Sequence, residues 1–99
     1  MTVELREDTV LARRREVAWR LFEGEAILVF TARDEICQLN PVASFIWEAL
    51  DGKMDLRQVA AKLAQEFEVT EAEARRDALA FAAELLEKGV AEVAGERDL

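Results

Sequence analysis

The 99-residue sequence has no histidine, no tyrosine, one cysteine and one serine. Histidine is the side chain that most often acts as a general base near neutral pH, so Cys37 and Ser44 have no partner that would activate them as nucleophiles. A single cysteine also excludes an internal disulfide, and no cysteine–histidine set could bind zinc. The sequence therefore predicts a protein that is not an enzyme and that uses no cofactor or metal ion.

The sequence also lacks an apolar run of about 18 residues, which a membrane-spanning helix needs. Residues Met1–Asp8 are polar and acidic, unlike a signal peptide, so a cytoplasmic location is expected. The net charge of −8 argues against nucleic-acid binding, because that binding depends on lysine and arginine at the phosphates. With 52% hydrophobic residues, one proline and four glycines, we expect one folded domain over residues 1–99 with a core at about 10–93.

The first half of the sequence has the period-two patterns that are typical of β-strands. Glu16–Phe22 alternates between two faces, and Glu25–Phe30 is almost continuously apolar, which predicts a central strand. Glu23-Gly24 suits the turn between them, because glycine tolerates positive φ. Glu35–Leu39 predicts a short third strand, and Val10–Ala12 is a candidate for a short further pairing at the start of the same sheet. These segments predict a three-stranded antiparallel sheet.

Three amphipathic segments with helix start and stop signals follow the strands. Asp51-Gly52 ends the first helix and Gly89 ends the third, because glycine is favoured after a helix. The apolar tail Val90–Val93 is expected to pair or pack. A sheet and three helices with apolar faces must cover one another, which predicts an α+β fold with a three-helix bundle after the sheet. The start signals are Asn40 with Pro41, Asp55 with Gln58, and Thr70 with Glu73.

The third helix has two apolar strips where one would suffice for a surface helix. The second strip indicates either a wide buried face or a shallow groove with alanine floors and leucine walls, and Arg75 flanks it. The third strand comes last in the meander, so it is expected to be an edge that can accept an added strand. A short charged edge is equally a common protection against aggregation. The main strip is Ala74, Ala78, Phe81 and Leu85, and the second is Leu79, Ala82, Ala83 and Leu86.

Several short motifs occur in a fixed order between Val17 and Val93. They are Leu39-Asn40-Pro41, Ile46-Trp47, Leu50-Asp51-Gly52, Val59 with Leu63, Asp77, Phe81, Leu85 and Lys88-Gly89-Val90. In this order and spacing they resemble the PqqD family, whose members are also called RiPP recognition elements. The resemblance implies a winged-helix-like fold and a small peptide-binding domain without catalytic activity.

Members of such a family bind the leader segment of a ribosomally made precursor peptide and present it to a modifying enzyme, often a radical SAM protein. The resemblance therefore implies these two partners here, and pyrroloquinoline quinone biosynthesis is one pathway it suggests. A homodimer is left open. By position, the implied peptide contacts are Glu35, Ile36, Cys37, Gln38 and Leu39 on the strand, with Arg75, Leu79, Ala82, Ala83 and Leu86 on the helix. Only one parity of strand side chains can face the groove.

Two other functions fit the same order of elements. A winged-helix transcription regulator would place its third helix in the DNA major groove, but a helix facing phosphates should be net basic. Here that helix carries Arg75, Arg76 and Lys88 against Glu71, Glu73, Asp77, Glu84 and Glu87. A generic protein-interaction adaptor would bind a partner and leave the edge of the third strand unoccupied.

Overall fold

The computed structural model describes residues 5–30 and 34–94, so residues 1–4 of the acidic N-terminal segment and both ends of the expected domain lie outside it. No helix in the described ranges is long and apolar enough to cross a membrane. The described elements are β1 (Val10–Arg13), β2 (Ala18–Phe22), β3 (Glu25–Phe30), β4 (Glu35–Gln38), α1 (Pro41–Ala49), β5 (Asp51–Asp55), α2 (Leu56–Phe67), α3 (Glu71–Lys88) and β6 (Ala91–Val93).

The expected α+β fold and its three-stranded antiparallel sheet are confirmed. This sheet has the order β2-β3-β4, with the apolar strand β3 in the centre. The turn between β2 and β3 has positive φ at both Glu23 and Gly24, as a tight two-residue hairpin turn requires. The helices α1 and α3 pack on the face of this sheet that carries Ala26 and Leu28.

A second antiparallel sheet, with the order β5-β1-β6, corrects the prediction for Val10–Ala12. This segment does not extend the first sheet, because β1 pairs with β5 on one side and β6 on the other. Asp51-Gly52 ends α1 as predicted, but it also begins a strand. Gly52, the second residue of β5, has φ of +81°, a backbone conformation that glycine adopts without strain. The tail expected to pair or pack forms β6.

The predicted helix start signals are confirmed. The Asn40 side chain accepts a hydrogen bond from the Ala43 N–H at 2.8 Å, and Pro41 occupies the first helical position. Capping boxes open α2 and α3 at the predicted residue pairs. Gly89 closes α3 with φ of +78°. The local sequence therefore determines where each helix begins and ends.

Two clusters of buried apolar side chains hold the elements together. One joins both sheets to α1 and α3 around Trp47, which is completely buried, and the other joins the three helices around Leu63. Phe81 of α3 is half-buried and contacts both clusters. The two clusters thereby fix α3 relative to the β2-β3-β4 sheet.

Ser44 fixes the junction between the sheet and α1. Its hydroxyl, which is 1% exposed, accepts a hydrogen bond from the Ala26 N–H at 2.6 Å and donates to the Leu39 carbonyl at 3.2 Å. These bonds satisfy buried backbone groups that would otherwise cost about 1–3 kcal/mol each. The single serine of the chain thus positions the end of β4 against the helices.

Candidate functional site

β4 is one of the two open edges of the first sheet, since β4 and β2 each pair only with β3 among the described residues. Directly after the strand, the Leu39 N–H donates to the Ala26 carbonyl of β3 at 2.8 Å. Backbone groups alternate sides along an antiparallel strand, so Cys37 also points its N–H and C=O toward β3. Ile36 and Gln38 consequently turn theirs to the open side, where another strand can bind them.

The register of the sheet determines which β4 side chains face the helices. Cys37 lies opposite Leu28, which is 3% exposed and belongs to the core. Because side chains alternate along a strand, Glu35, Cys37 and Leu39 share the helix side of the sheet. Ile36 lies on the other side and is 75% exposed. The sequence left open which set of alternating side chains faces the groove, and the register shows that it is the odd-numbered set.

A cleft lies between β4 and α3, and we call it the strand–helix cleft. It encloses a cavity of about 190 Å³. Most of its lining is apolar, with Glu35 and Lys88 as the charged side chains. The lining residues are Leu28, Phe30, Glu35, Ile36, Cys37, Leu39, Phe81, Leu85, Lys88 and Val90.

The strand half of the predicted site lies at this cleft. Glu35, Ile36, Cys37 and Leu39 line it. Gln38 faces the other side of the sheet, where its amide donates to the Glu25 carboxylate at 2.7 Å. Gln38 contributes only its backbone to the open edge.

The α3 residues that were predicted to contact the peptide do not lie at the strand–helix cleft, because α3 is rotated relative to the expectation. Ala82 is completely buried in the core, and Leu79 and Leu86 pack half-buried against the same cluster. Ala83 is exposed to solvent. The Arg75 guanidinium lies 3.8 Å from the Glu7 carboxylate, beside the N-terminal segment. None of these residues lines the strand–helix cleft.

Phe81, Leu85 and Lys88 form the helix wall instead. They follow one another at i, i+4 and i+7, which is one face of an α-helix. Sequence reasoning assigned Phe81 and Leu85 to the core and Lys88 to the end of the helix. The half-burial of Phe81 shows that one side chain serves both the core and the cleft.

A second cleft, the α1–α3 cleft, lies between these two helices and encloses about 400 Å³. It is more open and more acidic, with Asp77 and Glu84 at its walls. Phe81 lines both clefts, so they are adjacent. The remaining lining residues are Asn40, Val42, Ala43, Ile46 and Ala80.

Among the described residues, two carboxyls have shifted pKa values, and both lie away from the two clefts. Hydrogen bonds from the backbone N–H groups of Lys53 and Met54 lower the pKa of Asp51. A backbone hydrogen bond and the Arg14 guanidinium lower the pKa of Glu16. Within the described ranges, no group of three or more His, Cys, Asp or Glu side chains is placed to hold a metal ion.

The family model "Coenzyme PQQ synthesis protein D (PqqD)" matches residues 25–91. The chain belongs to the PqqD family. The match covers β3, β4 and all three helices, and therefore both clefts of this PqqD-family chain. The family resemblance predicted from the sequence motifs is confirmed, while no curated protein matches.

Two solved structures have the same fold as this PqqD-family chain. One is TbiB1 in complex with the TbiA(beta) leader peptide, with a TM-score of 0.74 and 21% identity, covering 82% of this chain and 94% of that chain. The other is a lasso peptide synthetase B1 complexed with the leader peptide, with a TM-score of 0.74 and 29% identity, covering 83% of this chain and 96% of that chain. In both cases the shared fold covers nearly the whole length of the solved chain.

Proposed function

We propose that this chain binds the leader segment of a ribosomally made precursor peptide as an added strand on β4. The observation that carries the proposal is the open β4 edge, which directly borders an apolar cleft. Strand addition gives affinity through main-chain hydrogen bonds and selectivity through alternate side chains. Here the backbone groups of Ile36 and Gln38 supply the main-chain hydrogen bonds, and the strand–helix cleft receives the alternate side chains.

The size of the strand–helix cleft suits one large apolar side chain of the peptide. An apolar cavity of about 150 Å³ in another protein binds benzene. The cavity here, about 190 Å³, can therefore hold an aromatic or branched aliphatic side chain between Cys37, Phe81 and Leu85. Burying such a side chain contributes about 1.5–3 kcal/mol.

The comparisons support the same ligand class. The solved chain with 29% identity is a lasso peptide synthetase B1 complexed with its leader peptide. The family description names coenzyme PQQ synthesis. These names point to different pathways. We propose that the chain, acting as one domain with its core at about 10–93, delivers the leader to a modifying enzyme and is not itself the catalyst.

The kind of modifying enzyme follows from the pathway. The family resemblance favours a radical SAM enzyme and pyrroloquinoline quinone synthesis, whereas the solved neighbour favours lasso peptide assembly. The net charge of −8 suits an enzyme surface with basic character. The DNA-binding alternative has no support from the charges of α3, which carries five carboxylates against three cations.

Crosslinking with an amine-reactive reagent in the native host tests the proposal, because the chain has three lysines in different places. Lys88 lines the strand–helix cleft, while Lys53 on β5 and Lys62 on α2 lie outside both clefts and serve as controls. We expect a short peptide crosslinked through Lys88, with a modifying enzyme co-purifying. Recovery of DNA, or of a large protein crosslinked only through Lys53 or Lys62, would contradict the proposal.

A further inference from the structure

The α1–α3 cleft combines an apolar floor with two carboxylates. Asp77 and Glu84 are seven residues apart on α3, which is about two helical turns, so they lie on the same face. Val42, Ile46 and Phe81 form the apolar part between and beside them. No lysine or arginine is among the described residues that line this cleft.

The cleft continues the path of a strand bound to β4. Leu39 lines the strand–helix cleft, and the next residue, Asn40, lines the α1–α3 cleft. Phe81 is the side chain that both clefts share. A peptide that pairs with β4 and continues past Leu39 therefore passes over Phe81 into the α1–α3 cleft.

The charges of this cleft are not compensated within the described part of the chain. Neither Asp77 nor Glu84 has a cationic side chain within 4.0 Å among those residues. Two negative charges beside an apolar floor suit a long cationic side chain, whose stem packs on apolar surface while its charged end meets the carboxylates.

We propose that the α1–α3 cleft binds a lysine or arginine side chain of the same peptide, adjacent to the segment that pairs with β4. This inference rests on the proposed peptide binding and adds a rule for selecting the peptide. An apolar anchor occupies the strand–helix cleft, and a basic residue a few positions away occupies the α1–α3 cleft. Asp77 and Glu84 are thus specificity determinants for a peptide of this charge pattern.

Selection from a random-peptide phage library tests the rule without knowledge of the natural ligand. Three proteins are compared: the wild type, the double variant Asp77→Asn/Glu84→Gln, and the control Glu66→Gln/Glu87→Gln. The control removes the same charge at exposed positions outside both clefts. We expect the wild type and the control to enrich an apolar segment with a neighbouring lysine or arginine. The double variant should keep the apolar segment and lose the basic residue.

Affinity measurements on one selected peptide complete the test. Replacing its basic residue by glutamine should weaken binding to the wild type roughly two- to fivefold, and should change little for the double variant. The difference should shrink in high salt. Apolar peptides without a basic preference in the wild type would overturn the inference and leave the proposed function standing. No enriched peptide at all would overturn both.

Discussion

Cys37 of β4 lies directly opposite Leu28 of β3, and this pairing turns the Cys37 side chain toward the helices. The lone cysteine, which is a free thiol, is therefore a wall of the strand–helix cleft. The same pairing places the neighbouring Ile36 side chain on the opposite face, where it is 75% exposed. The backbone of Ile36, in turn, faces the open edge.

Filling the strand–helix cleft should block peptide binding. The variant Cys37→Phe adds a ring that can only enter the cavity of about 190 Å³, so we expect at least about a tenfold loss of affinity, the equivalent of about 1.4 kcal/mol. The control Val29→Phe places the same ring on the outer face of β3, opposite Ile36. Isothermal titration calorimetry measures both. Equal affinities for the two variants would show that the cleft is not the binding site.

Removing a backbone donor from the open edge should weaken binding without unfolding the protein. Ile36→Pro deletes an N–H that points away from β3, and proline is tolerated at such edge positions. Loss of one main-chain hydrogen bond corresponds to about 0.5–1.5 kcal/mol. Ile36→Ala keeps the N–H and should lose less affinity. If titration finds both variants equally affected, the Ile36 side chain, and not its backbone, binds the peptide.

Adjacent alanines on α3 should respond differently to the same substitution. Ala82 is completely buried and Ala83 is exposed. Ala82→Gln buries an unpaired amide, which costs about 1–3 kcal/mol, and overpacks the core by a further cost of about 1–3 kcal/mol. Ala83→Gln should stay within about 0.5 kcal/mol of the wild type. Urea unfolding measures both, and a reversed order would show that α3 is rotated differently.

The carboxylate of Asp51 should stabilise the fold above acidic pH. Two backbone N–H groups lower its pKa in the folded state, from an ordinary value of about 3.9. The stabilisation is therefore fully present above that value and is lost as the pH falls through the lowered folded-state pKa. Asp51→Asn should unfold at a lower urea concentration than the wild type at pH 7, and the two midpoints should coincide at a pH below the lowered folded-state pKa of Asp51. Midpoints that differ equally at both pH values would assign the effect to something other than the charge.

The elements that sequence reasoning located correctly are those with local chemical signals. Asn40, Asp55 and Thr70 begin the three helices because their side chains accept hydrogen bonds from the first turn of each helix. The apolar run of β3 places that strand in the centre of its sheet. In contrast, β5 and β6 are five and three residues long and exist only through pairing with the distant β1. The apolar tail Val90–Val93 indicates that β6 pairs or packs but not with which strand, and no alternating pattern marks β5.

The rotation of α3 explains why the predicted helix residues do not line the strand–helix cleft. The helix has alanines on several faces, so its apolar pattern does not single out one buried side. Packing decides the matter, since the core takes Ala82 and leaves part of Phe81 for the clefts. The strand residues were placed better because a short edge strand has only two possible faces. The register of Cys37 against Leu28 selects one of them.

Amide hydrogen exchange measured by NMR tests, residue by residue, whether the peptide becomes a new strand on β4. In the free protein, the Cys37 amide should exchange slowly because it faces β3, while the Ile36 and Gln38 amides should exchange fast. Adding an excess of the leader peptide that crosslinking identifies should slow the exchange of the Ile36 and Gln38 amides and leave the Cys37 amide protected. Unchanged fast exchange at Ile36 and Gln38, with protection appearing elsewhere on saturation, would show that the peptide does not bind as a strand on β4.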